Sequence, residues 1–401
     1  MNVPLHHGSH TDLLEQVEAG DAPPSGIDAI VVPTSRPVNC LRGAIRLARE
    51  LDSLVVVLCS GSATADEAAA VGASLHARVV AIDVGGLDRL LPVLDTSQLL
   101  MEPRFRHFRR RSDLSIKRNL GLLLARAAGW QRVLFLDDDI ARVRAAELRA
   151  AAGLLPEHRV VGLSNCGFPD NSVVCHAYRH VGGAQGVFIG GGAMLVAADR
   201  VDSFFPNVYN EDWFFLYDAL AAGSVAVSGR MSHKKHDPFA DPRRARLEEF
   251  GDLLAEGLYR LLDVGDDLAR ADLAFWQRHL HYRRQLIETI LGRLRRGEGG
   301  PRRDRMIASL EAAQRVSSFI TPTLCVDFLQ AWGQDRERWR QHVSGFGPVL
   351  EVEKALAEFG LAGRFVTTRP APLRSAPPAV QPRAASLIRP DRDALRAPAG
   401  R

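Results

Sequence analysis

The chain has 401 residues, enough for two or three domains and for a core that needs no disulfide or metal staples. Its 46% hydrophobic and 24% charged residues exclude a fibrous, collagenous or wholly disordered protein. The net charge of +4 rests on residues 361–401, which carry eight Arg against two Asp; the rest of the chain is slightly acidic and lacks the basic footprint of a nucleic-acid binder.

Residues 1–26 are polar and closed off by Pro23, Pro24 and Gly26, which predicts a loose arm with one short helix. From Ile27 onward, short β-branched runs (Ala29–Val32, Leu54–Leu58, Val79–Val84) alternate with helical patterns near Asn39–Leu51 and Thr64–Leu75. Such alternation predicts an α/β fold: βαβ units forming a mainly parallel, buried sheet flanked by helices. A basic stretch follows (Arg104, Arg106, Arg109, Arg110, Arg111), then an expected helix at Ser115–Ala128 and a strand at Arg132–Leu136. Residues 160–235 hold further short strands and a glycine cluster. At Asp241 the pattern turns helical, with Asp241 as N-cap, Pro242 in the first turn and Leu247, Phe250, Leu254, Leu258 and Leu261 at helical spacing. Stripes over Leu273–Leu294 and Met306–Trp339 extend a mainly α-helical C-terminal region to about Phe365.

The expected division is an arm (1–26), an α/β domain (27–240), a helical region (241–366) and a disordered basic tail (367–401) that holds seven of the 22 prolines. Five cysteines without a C-x-x-C pair read as free thiols of a reducing compartment. There is no apolar run of 18 residues and no basic-then-apolar leader, so the expectation is a cytoplasmic protein without a transmembrane segment.

The chemistry concentrates in four places. Val133-Leu134-Phe135-Leu136 runs directly into Asp137-Asp138-Asp139, placing Asp137 and Asp139 on one side of the chain at the sheet edge where open α/β sheets bind ligands. Clustered carboxylates are tolerated there when a hard cation such as Mg²⁺ or Mn²⁺ sits between them and a diphosphate. Upstream, Lys117-Arg118-Asn119 lies at a helix start, where cations and backbone N–H groups suit phosphate. Downstream, Gly190-Gly191-Gly192 permits close backbone approach, and Tyr209-Asn210-Glu211-Asp212-Trp213 sets two carboxylates at a helix start with Asn210 available as a cap. The helix start lowers the pKa of Asp212 and burial raises it, and sequence does not decide between them.

Taken in order, these residues resemble the GT-A-fold nucleotide-sugar glycosyltransferases, especially those like family 2. The resemblance covers about residues 27–240 and rests on Val31-Val32-Pro33-Thr34-Ser35-Arg36-Pro37, Lys117-Arg118-Asn119, the D-x-D motif Asp137-Asp138-Asp139, the glycine run and Glu211-Asp212-Trp213. It implies a metal-dependent transfer of a sugar from a nucleoside-diphosphate sugar to an acceptor hydroxyl. Pro33, Thr34, Ser35 and Arg36 would line the nucleoside pocket; Lys117, Arg118, Asn119, Asp137 and Asp138 would lie around the nucleotide. Asp139, with Asp137, would hold Mn²⁺ or Mg²⁺, and His233 or His236 could be a further ligand. Glu211 and Asp212 would be the catalytic pair, Asp212 acting as base in an inverting reaction. Gly190, Gly191, Gly192 and Trp213 would face the acceptor, and the helical region would cover the acceptor side or form a dimer contact.

The pattern departs from family 2 after the second strand: Cys59-Ser60-Gly61-Ser62 stands where an acidic pair is usual, and Asp83 either substitutes for it or caps a helix. Alternatives are a retaining transferase resembling glucosyl-3-phosphoglycerate or mannosylglycerate synthases, a nucleotidyltransferase, disfavoured by the lack of a glycine-rich loop after the first strand, and a non-catalytic nucleotide- or sugar-binding module.

Overall fold

Leu54-Val-Val-Val-Leu-Cys59 has no polar position, and a strand of that kind is stable only with both faces covered. The computed structural model, which describes residues 11–18, 20–166, 172–184, 186, 189–347 and 351–368, places it inside a mixed sheet, with a strand on either side. The strands are β1 (Glu15–Gln16), β2 (Ala29–Thr34), β3 (Leu54–Cys59), β4 (Val79–Asp83), β5 (Arg132–Leu136), β6 (Ile140–Ala141), β7 (Val160–Asn165), β8 (Ala193–Ala197), β9 (Val225–His233) and β10 (Phe365–Thr368). Their order is β1-β9-β7-β8-β5-β2-β3-β4-β10, with β6 on β9. Strands β5, β2, β3 and β4 run parallel, as do β7, β9 and β1; β8 is antiparallel to both β5 and β7, and β10 to β4.

The helices are α1 (Arg42–Leu51), α2 (Ala65–Ser74), α3 (Asp95–Leu99), α4 (Leu114–Ala127), α5 (Ala145–Gly153), α6 (Val173–His180), α7 (Glu211–Ala221), α8 (Pro242–Asp263), α9 (Leu273–Arg296), α10 (Pro301–Ser317), α11 (Pro322–Ser344) and α12 (Val352–Glu358). Strand side chains alternate between faces, so Ile30 and Val32 pack with Ile45, Ala68 and Leu148 of α1, α2 and α5. Val31 and Phe135 face the other way, into a cluster with Leu120 of α4, Phe214 of α7, Leu254 of α8 and Trp332 of α11. The helical region therefore shares one core with the sheet.

The α/β layout and the helical C-terminal region agree with expectation. Three local expectations need correction. The N-terminal arm supplies β1, which pairs with Ala226 and Val227 at the sheet edge. The Met306–Trp339 stripe is two helices, because Thr321 accepts from Leu324 N as an N-cap and Pro322 opens α11. Thr367 and Thr368, expected to begin the disordered tail, belong to β10, where they pair with Val80 and Val79. The rest of that tail, and Val187 and Phe188 ahead of the glycines, lie outside the described residues. All five cysteines are free thiols, and among the described residues no helix is long and apolar enough to cross a membrane.

Candidate functional site

Because β2 and β5 are adjacent and parallel, their carboxyl ends bring Thr34–Arg36 and Asp137–Asp139 together. Asp138 is buried, accepting from Thr34 Oγ1 at 2.6 Å and pairing with Arg36. Arg36 also reaches Asp139 at 3.1 Å, and His233 Nδ1, at the end of β9, lies 3.6 Å from that same carboxylate. Burial works against charge on Asp139, yet His233 and Arg36 outweigh it and hold the carboxyl down to about 2.

Arg118 is the hub of the second half. Its guanidinium is 3% exposed and donates to both oxygens of Asp137, at 3.0 and 3.1 Å, and to Glu211 Oε1 at 2.8 Å, with the Phe205 ring 5.6 Å away. Burial disfavours its charge, but Asp137, Glu211 and Asp212 more than compensate and raise its pKa. Asp137 itself is pushed up to about 6 by burial against the pull of Arg118. Glu211 is also raised by burial, and Arg110, which stacks on Tyr209, lies 3.6 Å from its second oxygen.

Asp212 accepts from Gly191 N at 2.7 Å and from Trp213 N at 3.0 Å. Burial raises its pKa despite Arg118 and these backbone donors, so it prevails over the helix start. Each glycine of the run touches a different site group. A Cβ on Gly190 would meet Asp212 Oδ2 at 2.6 Å, one on Gly191 would meet Arg118 Cζ at 2.4 Å, and one on Gly192 would meet His233 Cε1 at 3.0 Å. The run is glycine because three side chains close on its backbone.

Two clefts meet at Asp137. One, an open groove of about 540 Å³ counting space that solvent shares, is lined by Pro33, Thr34, Ser35, Arg36, Asp113, Lys117 and all three aspartates. The other, about 790 Å³, is lined by Arg110, Arg118, Gly190, Gly192, Tyr209–Trp213, Met231 and His233, and is closed by Ser172 and Cys175 of α6 and Asp252 of α8.

Several expected residues have other employment. Lys117 is 2% exposed, and its ammonium is engaged by Thr34 O (2.8 Å), Ser60 Oγ (2.7 Å) and Asp113 (2.9 Å), which ties the β2 and β3 ends together. Both ends of the Asn119 amide bind the Phe205 backbone, at 2.9 and 2.8 Å. Asp83 accepts from Ala65 N at 2.9 Å, in the first turn of α2. His236 is exposed and contacts Arg244 at 2.7 Å, while Lys234 donates to Asp138 O at 3.2 Å. Trp213 is buried at the cleft wall against Tyr259, with ring centroids 4.6 Å apart. Asn210, expected as a cap by its side chain, instead sits at φ 59° with no side-chain capping bond and donates to Asp252.

Sequence reasoning missed the wall contributed by Ser172, Cys175 and Asp252. A signal existed for Asp252: Glu248, Glu249, Asp252 and Glu256 recur at helical spacing among the apolar residues Phe250, Leu253, Leu254 and Leu258 of the same helix. Comparison with models of protein families finds none that matches the chain, and no curated protein matches it.

Proposed function

We propose that the protein is a glycosyltransferase of GT-A type, moving a sugar from a nucleoside diphosphate to an acceptor hydroxyl. The observation that carries this reading is the meeting of two clefts at Asp137: the first offers carboxylates and Arg36 for a metal-bound diphosphate, the second offers Asp212 for a hydroxyl. Asp139 and His233, with Asp137, suit Mg²⁺ or Mn²⁺ as an open site. Such a cation, when bound, stabilises the charge of the departing diphosphate.

In this reading Arg36, half exposed, turns toward the phosphates, and Arg118 fixes Asp137 and Glu211. Asp212 takes the proton of the attacking hydroxyl, and its raised pKa makes it a better base than a surface aspartate. The two backbone N–H bonds that orient Asp212 equally suit a retaining reaction in which it aligns groups without accepting the proton. The anomeric configuration of the product separates the two.

The test is calorimetric titration of UDP, GDP, ADP and TDP, with and without Mn²⁺, into wild type and Asp139→Ala. Metal-dependent binding of one nucleotide that the variant loses is expected. Absence of binding for all four under both conditions overturns the reading.

A further inference from the structure

Helix α8 grips the segment that presents Glu211 and Asp212 at three points. Its Gly251 backbone presses on Tyr209 so closely that a Cβ there would lie 2.2 Å from Tyr209 O. The next residue, Asp252, accepts from Asn210 Nδ2 at 2.9 Å. Two turns on, the Tyr259 hydroxyl donates to Trp213 O at 3.0 Å. The acidic pair lies between these holds. Asn210 is in the left-handed region, which costs an L-residue free energy and is seldom kept without support. Its carbonyl accepts from Trp213 N (3.0 Å) and Phe214 N (3.4 Å), so its placement sets the first turn of α7.

Asp252 is itself held. Its second oxygen accepts from Arg283 Nη2 of α9 at 2.6 Å, and Arg283, 1% exposed, also binds Glu249 at 2.8 and 3.0 Å and Glu256 at 2.9 Å. A buried ionic cluster is seldom the most stabilising filling for a core, since apolar residues of the same volume often serve as well or better. An apolar residue at 252 would leave the Asn210 amide unpaired.

We propose that Asp252, clamped by Arg283, is a positioning residue that fixes Asn210 and thereby aims Asp212 into the cleft. Its consequence for sugar transfer rests on the glycosyltransferase reading; the positioning itself does not. The donor half is placed chiefly by the ends of β2 and β5, with Arg118 as its one described link to Glu211, so loss of the tie should affect turnover more than nucleotide affinity.

Three variants test this. Asn210→Gly keeps the left-handed backbone and removes the tie, Asp252→Asn disrupts it, and the double variant Asn210→Asp/Asp252→Asn rebuilds it with donor and acceptor exchanged, the new carboxamide turning its oxygen to Arg283. Hydrogen exchange of amides 213–216 should rise at least tenfold in each single variant and return to within threefold of wild type in the double. Nucleoside diphosphate released from the sugar donor of whichever nucleotide binds with Mn²⁺ should show kcat reduced at least tenfold in the single variants and restored in the double. KM for that donor should stay within threefold throughout. Unchanged exchange at 213–216 in Asn210→Gly overturns the proposal, as does failure of the double variant to recover exchange while folded. If wild type binds no nucleotide, the transfer reading fails and the exchange experiment still decides the positioning. If Asp252→Asn does not fold, Asn210→Gly carries the test.

Discussion

Two regions of this molecule gather carboxylates, and they do opposite things with them. At the end of β5, Asp137, Asp138 and Asp139 are met by Arg36, Arg118 and His233; on α8, Glu248, Glu249, Asp252 and Glu256 are met by Arg244 and Arg283. The counting of charge is similar, but the strand-end pair Asp137 and Asp139 is 23% and 27% exposed at the mouths of clefts, whereas Glu249, Asp252 and Glu256 are at most 4% exposed. Among the described residues, Cys175, Asp252 and Glu256 come close enough to hold a metal, yet Arg283 already bonds two of the three. The strand-end acids thus border open space, whereas the acids of α8 are closed in the core.

The contrast breaks first at Arg283. Arg283→Met strands three carboxylates in the core and should cost about 3–5 kcal/mol in urea unfolding, whereas Arg36→Met at the strand end should cost about 1 kcal/mol or less. Comparable losses would show that the two clusters are energetically alike.

A pH titration sharpens the same comparison, because Asp139 responds with opposite sign to the α8 glutamates, while buried Asp137, raised to about 6, responds as they do. Burial pushes Glu248 and Glu249 up to about 7, above the 4.5 of an unfolded glutamate, so their contribution is complete below pH 4.5 and disappears as pH rises through 7. Asp139, held down to about 2, contributes above pH 3.8 and loses that contribution as pH falls through 2. Buried His176 and His279, lowered to about 3 first of all by desolvation, make stability rise between pH 3 and 6.5, so the raw curve mixes effects. The difference between wild type and Glu249→Gln isolates the helix. Relative to the variant, wild type should lose about 1–3 kcal/mol between pH 4.5 and 7.5, and a gain would contradict burial as the cause.

Gly251→Ala comes next. The added methyl must displace the Tyr209 backbone, for about 1–3 kcal/mol of stability, and should speed amide exchange at 213–216. Smallest on this scale is Asp139→Asn, which should cost about 2 kcal/mol or less of unfolding free energy, the pull that holds its carboxyl down to about 2 being discounted because Arg36 is half exposed. On the glycosyltransferase reading its effect falls on binding, and Mn²⁺-dependent nucleotide affinity should fall more than tenfold.

The parallel strands could be read from sequence because a strand buried on both faces is an uninterrupted apolar run, as at Leu54–Cys59 and Val133–Leu136, and the aspartates could be read because they follow such a run without a gap. The short edge strands could not. Glu15–Gln16 and Phe365–Thr368 are defined by their neighbours and not by any pattern of their own. The cationic helix start Lys117-Arg118-Asn119 is legible in sequence, but sequence does not say that the Lys117 and Asn119 side chains turn inward, toward Thr34, Ser60 and Phe205. The Asn210–Asp252–Arg283 chain joins residues dozens of positions apart on three elements, a relation that periodicity within one helix cannot report. The break before α11 was legible in Thr321-Pro322 and was overlooked because the apolar stripe continues across it.

Both margins of the sheet are finished by segments distant in sequence: two residues of the arm lie along β9, and four residues beyond α12 lie along β4. An uncovered margin offers a row of unpaired N–H and C=O groups to any extended chain that meets it. Shortening the protein before Phe365 would leave the outer side of β4 bare along Val79–Ile82, an almost wholly apolar strand. Removing the residues that cover this margin should therefore raise sticking between copies, since β10 replaces a nearly all-apolar edge by one that carries Thr367 and Thr368, and the effect should grow with concentration.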